Sequence, residues 1–186
     1  IRRVLELHDR DRFEITLFCH SAPDLLKTNE ADRSLWGDVV TIREMSNDEA
    51  LAEIKARNID ILVDLKGHTA GNRTAILNMG AAPVQVAWIG FPGSTVNVDL
   101  DYAIGDHYVL PDSSKPHYYE KFARLPETYQ PNDPVNRPLA KQLSRADVGL
   151  PEDAFVFASF NANRKITPRV AEIWGNIIKR TPNSVI

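Results

Sequence analysis

One run of seven residues, Ile59-Asp60-Ile61-Leu62-Val63-Asp64-Leu65, restricts the possible folds more than any other feature of the chain. It is too short to span a bilayer, and it is rich in the β-branched residues that favour a pleated strand. Its near-continuous apolar character predicts a parallel strand covered on both faces. A parallel strand needs a crossover connection, usually a helix, to reach its neighbour. The segment before the run supplies one: Leu51, Ile54 and Lys55 recur at helical spacing through about Arg57, with Asn47 or Asp48 as the expected cap.

The same alternation extends along the chain. Residues 1–8 carry apolar side chains at Ile1, Val4 and Leu5 and read as the tail of a helix. Strands are expected over residues 13–19, 39–42, 84–89, 102–105 and 122–125, a short helix over 73–79, and loop plus a short helix over 21–35. Strands separated by helices define an α/β class with a mainly parallel sheet, whose ligands sit at the carboxyl ends of the strands. Between Pro126 and Pro151 the texture changes to a Pro-punctuated polar stretch, with a helical piece expected near residues 139–146. Beyond it a strand (155–160), a loop (161–165) and a helix (168–180) begin a second α/β domain, with Thr167 as N-cap and Pro168 in the first turn. The expected division is a first domain over residues 1–130, a connector over 131–151 and the start of a second Rossmann-like domain over 152–186.

Composition removes several classes. With 43% apolar and 25% charged residues the chain is ordinary for a globular protein. A net charge of −3 without a basic block argues against nucleic-acid and membrane-surface partners. Cys19 is the single cysteine, so no intrachain disulfide can form, which fits a reducing, cytoplasmic location. The spacings contain no zinc pattern, no P-loop and no GxGxxG, and the last absence disfavours a Rossmann-type oxidoreductase. Asp99, Asp101 and Asp106 read as turn and strand-end residues, and Trp36, Trp88 and Trp174 as core. The chain opens on Ile1 and closes on Ser184-Val185-Ile186, which reads as the start of a strand, so truncation at both ends is expected.

Three stretches could carry chemistry. Asp64-Leu65-Lys66-Gly67-His68-Thr69-Ala70-Gly71-Asn72-Arg73 leaves a strand through a glycine-bearing loop, and His68 has the titration range of a general base. A histidine that merely pins the loop through its ring nitrogens is the plainer reading. In Ala82–Thr95 a strand runs into Gly90-Phe91-Pro92-Gly93, where glycines expose N–H groups or serve only the shape of a turn. In Ser159–Pro168 a strand and loop lead to a helix N-terminus beside Lys165, a combination that suits a diphosphate. A solvated loop with a cap is the alternative.

These stretches, in this order, resemble the bacterial-type catalytic region of the O-GlcNAc transferase/SPINDLY family, glycosyltransferase family 41. The segments that carry the resemblance are IDILVDLKGHTAGNR, APVQVAWIGFPGST, DYAIGD, EKFARLPETYQPND and LPEDAFVFASFNANRKITP, and they cover nearly the whole chain from Phe13 onward. The resemblance implies a GT-B fold, two Rossmann-like domains, and inverting transfer of a sugar, GlcNAc from UDP-GlcNAc, to Ser or Thr hydroxyls of proteins. It implies no cofactor and no obligatory metal, and a nucleotide sugar and protein acceptors as partners. It assigns Lys165 to the donor diphosphate and His68 to a place facing the cleft. Ile89 and Gly90 match backbone positions beside the donor sugar. Substrate contacts are also expected from Gly67 and Thr69, from Pro92 and Gly93, and from Asn161, Ala162 and Thr167.

The sequence departs from the family at Ala162, where Gln or Asn is usual, and at Gly80, where Arg is usual. The family's early His-containing loop, its later NGHTT-type loop and its tetratricopeptide array have no counterpart in these 186 residues, so this piece alone is expected to be inactive. GDP-fucose as donor, or a non-catalytic acceptor-binding module of a repeat protein, remain the alternatives.

Overall fold

A computed structural model describes residues 1–21, 36–135, 137 and 139–186. The expected helix within residues 21–35 lies outside the described residues. The chain divides into two compact units, Ile1–Arg137 and Pro138–Ile186.

The first unit opens with a helix (α1, Arg2–Leu7) and a parallel pair of strands, β1 (Thr16–Cys19) and β2 (Asp38–Thr41). Helix α2 (Asn47–Ala56) then crosses to β3 (Ile61–Asp64). A 3-10 helix (Thr74–Met79) leads to β4 (Val84–Trp88), followed by β5 (Tyr102–Gly105) and β6 (Lys121–Arg124). Strands β3-β4-β5-β6 form one sheet in sequential order, every pair parallel. The α/β class read from the sequence is therefore the observed one.

Helix α2 starts where a reciprocal cap allows it. Ser46 Oγ accepts the Glu49 N–H, and the Glu49 carboxylate accepts the Ser46 N–H at 2.7 Å. The cap is thus Ser46, not Asn47 or Asp48; the Ser-x-x-Glu spacing was there to be read. Ala50 and Ile54 turn inward and meet Val40, Ile42, Ile76 and Ala81, with Phe18 and Leu62 packed against them. Arg73 ties this layer to the loop before α2, donating to the carbonyls of Ile42 (2.7 Å) and Met45 (2.9 Å) and to Asn47 Oδ1 (2.7 Å).

Strand β3 departs from the expectation that both its faces are covered. Leu62 packs on the core, but Ile61 is 56% exposed and Val63 and Leu65 are each 39% exposed. Successive strand residues point to opposite faces, and no described element covers the face that carries these three. The three tryptophans are half-buried rather than core.

Gln85 holds the sheet to its flanking loops. It is 3% exposed and all its polar atoms are engaged: Oε1 accepts from Ala81 N at 3.1 Å, and Nε2 donates to Leu77 O at 3.0 Å and Asp99 O at 2.6 Å. Its own N–H donates to the Asp101 carboxylate at 2.8 Å.

The second unit contains β7 (Phe155–Val156) and β8 (Ser184–Val185), paired in parallel, with helix α3 (Pro168–Arg180) between them. Thr167 caps α3 as expected, its hydroxyl accepting the Val170 N–H at 3.3 Å. The strand expected over 155–160 stops after two residues. The helix expected near 139–146 is absent: Leu139 is 98% exposed and Leu143 60%, so the apolar spacing has no surface to bury against, and only a 3-10 turn at Ala146–Val148 forms. Arg145 instead organises this stretch, donating to the carbonyls of Pro151, Glu152 and Ala154.

Replacing Gln85 by Leu keeps the volume but strands the Ala81 N–H and two carbonyls. The expected loss is about 1–3 kcal/mol in urea-unfolding stability, and an unchanged midpoint would show that these groups find water instead.

Candidate functional site

The carboxyl ends of β3, β4 and β5 deliver their loops to one cavity of about 340 Å³ in the first unit. Of the residues singled out from the sequence, Gly67, Ile89, Gly90, Pro92 and Gly93 line it. Trp88, Phe91, Tyr118 and Tyr129 add aromatic walls, and no Lys, Arg or His lines it.

Strand β4 ends at Trp88 because Ile89 takes a left-handed conformation, φ 65°. The Gly90 N–H turns back to Trp88 O at 2.8 Å, closing a γ-turn. A β-branched residue in this region is strained, and such strain gathers at sites that bind ligands. The turn brings Gly90 so close to β3 that a Cβ there would collide with the Leu65 carbonyl. Only glycine permits this approach.

Carboxylates fix the loops around the cavity. Asp64 accepts the N–H groups of Gly67 (2.6 Å) and Lys66 (3.2 Å), shaping the turn that leaves β3. Glu120, 5% exposed, accepts the Thr95 N–H at 2.7 Å and the Ser94 hydroxyl at 2.6 Å. Asp106, 4% exposed, accepts the N–H groups of Val109, Tyr129 and Tyr108 at 2.9, 3.0 and 2.9 Å. Those bonds, Val109's first and then Tyr129's, hold the Asp106 carboxyl below its usual range. Tyr129 O in turn accepts the Trp88 indole N–H at 3.1 Å, which fixes one wall. Tyr118 stays a neutral phenol: burial first, then Glu120, raises its pKa. Asp106 was read as a strand-end residue, and it is one. Glu120 carried no signal, since its partners lie 25 and 26 residues away.

His68 stands beside the cavity rather than in its wall. Its ring meets Phe91 edge-on at 5.2 Å, and Nε2 lies 2.9 Å from Val96 O. A carbonyl can only accept, so Nε2 carries the hydrogen and Nδ1 keeps its lone pair. Thr69 is turned inward on its own loop, its hydroxyl donating to Lys66 O at 2.9 Å.

The remaining sequence-selected residues lie in the second unit. Asn161, Ala162 and Lys165 are exposed, Lys165 on a 3-10 turn (Asn163–Lys165) immediately before α3. Thr167 spends its hydroxyl on the helix cap. Among the described residues no group of three or more His, Cys, Asp or Glu could hold a metal ion, and no helix is long and apolar enough to cross a membrane.

Parallel strands that present a small, aromatic-walled cavity at their carboxyl ends, in a chain of two α/β units, fit a fold of GT-B type. The chain belongs to glycosyl transferase family 41, whose model matches residues 1–137 and 134–186. It is 36% identical over 189 residues to an Arabidopsis thaliana protein named "Probable UDP-N-acetylglucosamine–peptide N-acetylglucosaminyltransferase SEC", covering 98% of this chain and 19% of that protein. The SPINDLY protein of Petunia hybrida, which bears the same enzyme name, is 33% identical over 99% of this chain and 20% of its own length. A solved structure of a lysine-to-methionine mutant of the Thermobaculum terrenum O-GlcNAc transferase superposes with a TM-score of 0.80 at 28% identity, over 98% of this chain and 34% of that one. The chain thus spans about a fifth of the length of these curated relatives.

The Asp106 carboxylate gives a pH signature. Its folded pKa lies below the unfolded value of about 3.9, so its stabilisation is complete above that value and is lost as pH falls through the folded pKa. Asp106→Asn should melt below the parent at neutral pH, with the gap closing below about pH 4. A gap that stays constant in melts from neutral to acid pH would refute this.

Proposed function

We infer that the full-length protein containing this chain is an inverting glycosyltransferase that moves GlcNAc from UDP-GlcNAc to Ser or Thr hydroxyls of proteins. The observation that carries this reading is the family match along the whole chain, joined to a cavity formed by the residues that the family resemblance places beside the donor sugar. The names of the relatives support the donor and the protein acceptor.

In this reading the acceptor oxygen attacks the anomeric carbon on the face opposite the diphosphate. The new C–O bond forms as the bond to the phosphate oxygen breaks, and the hydroxyl proton passes to a base. His68 Nδ1 is the ring nitrogen free to take it, because Val96 O holds Nε2. The electron pair leaves on the nucleoside diphosphate. Lys165 supplies a full positive charge there, and the dipole of α3 adds a partial one at its N-terminus. The first-unit cavity, with no cation in its wall, suits the sugar, and the cationic loop of the second unit suits the phosphates. No cofactor is required by this chemistry.

Two substitutions in the full-length protein test the roles. Lys165→Ala should lower kcat by about 10²–10³ with melting unchanged, since the side chain is exposed. Normal turnover in that variant would remove Lys165 from the mechanism. His68→Ala should cost about 10²-fold or more in rate; a full rate would leave His68 only its contact with Val96. Calorimetry and transfer assays with UDP-GlcNAc, UDP-glucose and GDP-fucose in parallel decide the donor. Binding of none of them by the folded protein would replace the enzyme reading with that of a non-catalytic module.

A further inference from the structure

Thr95 lines the cavity, is 2% exposed, and its hydroxyl has no hydrogen-bond partner among the described residues. Buried polar side chains are overwhelmingly paired, because water is lost without replacement otherwise. The main chain of Thr95 is fully engaged: its N–H donates to Glu120 at 2.7 Å and its carbonyl accepts the Val98 N–H at 3.1 Å. Only the hydroxyl is left over. The fold thus clamps this residue firmly and leaves one donor-acceptor group unspent.

The direction of that group is set by its neighbours. A Cβ added to Gly67 would stand 3.5 Å from Thr95 Oγ1 and would collide with Phe91 Cβ, so the spot beside the hydroxyl is filled by Phe91. The same hypothetical atom would lie 3.2 Å from Phe91 Cγ, so the Phe91 ring closes over the spot. Phe91 is 37% exposed and rests edge-on against His68. The cover is therefore Phe91, a partly exposed residue whose Cβ as well as ring must shift to uncover the spot.

The chemistry of the cavity limits what could meet the hydroxyl. With the Asp64 carboxylate and no Lys, Arg or His in its lining it repels rather than attracts a phosphate. At about 340 Å³ it sits at the low end of the range for ligand sites, room for one ring rather than a whole nucleotide sugar. We propose that Thr95 Oγ1 is a specificity-determining contact for a hydroxyl or amide group of the transferred sugar, reached from the cavity when Phe91 shifts aside. This rests on the glycosyltransferase reading above.

The test uses the full-length protein with Thr95→Val, which keeps the shape and removes the hydroxyl, and Thr95→Ser, which restores it. Calorimetry with UDP-GlcNAc should show binding to Thr95→Val weakened about tenfold, or 1.4 kcal/mol, with Thr95→Ser close to the parent. Binding of UDP alone should be unchanged in both. The free Thr95→Val protein should melt no lower than the parent, because an orphan hydroxyl contributes nothing to the fold. Thr95→Ala gives the same comparison should valine fail to fit. Equal affinity of parent and Thr95→Val for UDP-GlcNAc overturns the proposal while leaving the enzyme reading intact, as does an equal loss for UDP. A lowered melting temperature with unaltered binding shows the hydroxyl bonded within the fold, and also overturns it. A parent protein that binds no nucleotide sugar defeats the enzyme reading itself.

Discussion

The absence of one methylene carbon at Gly90 sets the distance between the two loops that make the cavity. Its backbone lies where any side chain would strike the Leu65 carbonyl. Strands in a sheet are separated by nearly 5 Å, and loops that leave neighbouring strands normally diverge. Here the γ-turn at Ile89 folds the second loop back onto the first. A left-handed β-branched residue costs on the order of 1–2 kcal/mol, and the conformation persists because its surroundings hold both sides. Parallel pairing with β3 and β5 fixes the strand up to Trp88, and the Glu120 clamp on Ser94 and Thr95 fixes the loop beyond. The cavity is thus assembled by constraint from both ends of a strained turn.

In the reading proposed above, a nucleotide-sugar donor makes two demands. A sugar ring needs a rigid wall with a few directional polar groups; a departing diphosphate needs positive charge. The first unit supplies the wall and puts no cation in it. The second unit supplies a lysine just before α3 and the positive end of that helix's dipole, with no acidic residue in the first helical turn to oppose an anion.

The alternation of strands and helices was legible because it depends on local pattern. Strands β4, β5 and β6 and the cap and course of α3 lie where periodicity and Thr167-Pro168 put them. What failed depended on distant partners. The 59–65 run looks doubly covered because its composition is apolar, yet coverage is a property of neighbours, and Ile61, Val63 and Leu65 face outward. Residues 139–146 have helical spacing but nothing to pack on, so Leu139 stays in water. At the site, the glycines and Ile89 were visible as turn chemistry, whereas the carboxylates that brace them were not. Glu120 sits in an exposed-looking Tyr-Tyr-Glu-Lys run, and its role appears only when the chain brings Ser94 and Thr95 to it.

Those braces also narrow the candidates for proton transfer. Asp64 is bound to two backbone N–H groups, Asp106 to three, and Glu120 to one N–H and one hydroxyl. At Asp106 these hydrogen bonds stabilise the ionised form and hold the pKa below its usual range. A carboxylate spent on holding a loop is a poor base, and moving it to reach a substrate would release the turn it secures. His68 differs. One ring nitrogen anchors it to the Val96 carbonyl while in the neutral ring the other keeps its lone pair, and the ring packs on Phe91. Among the described titratable groups around this cavity it can accept a proton without dismantling the wall beside it.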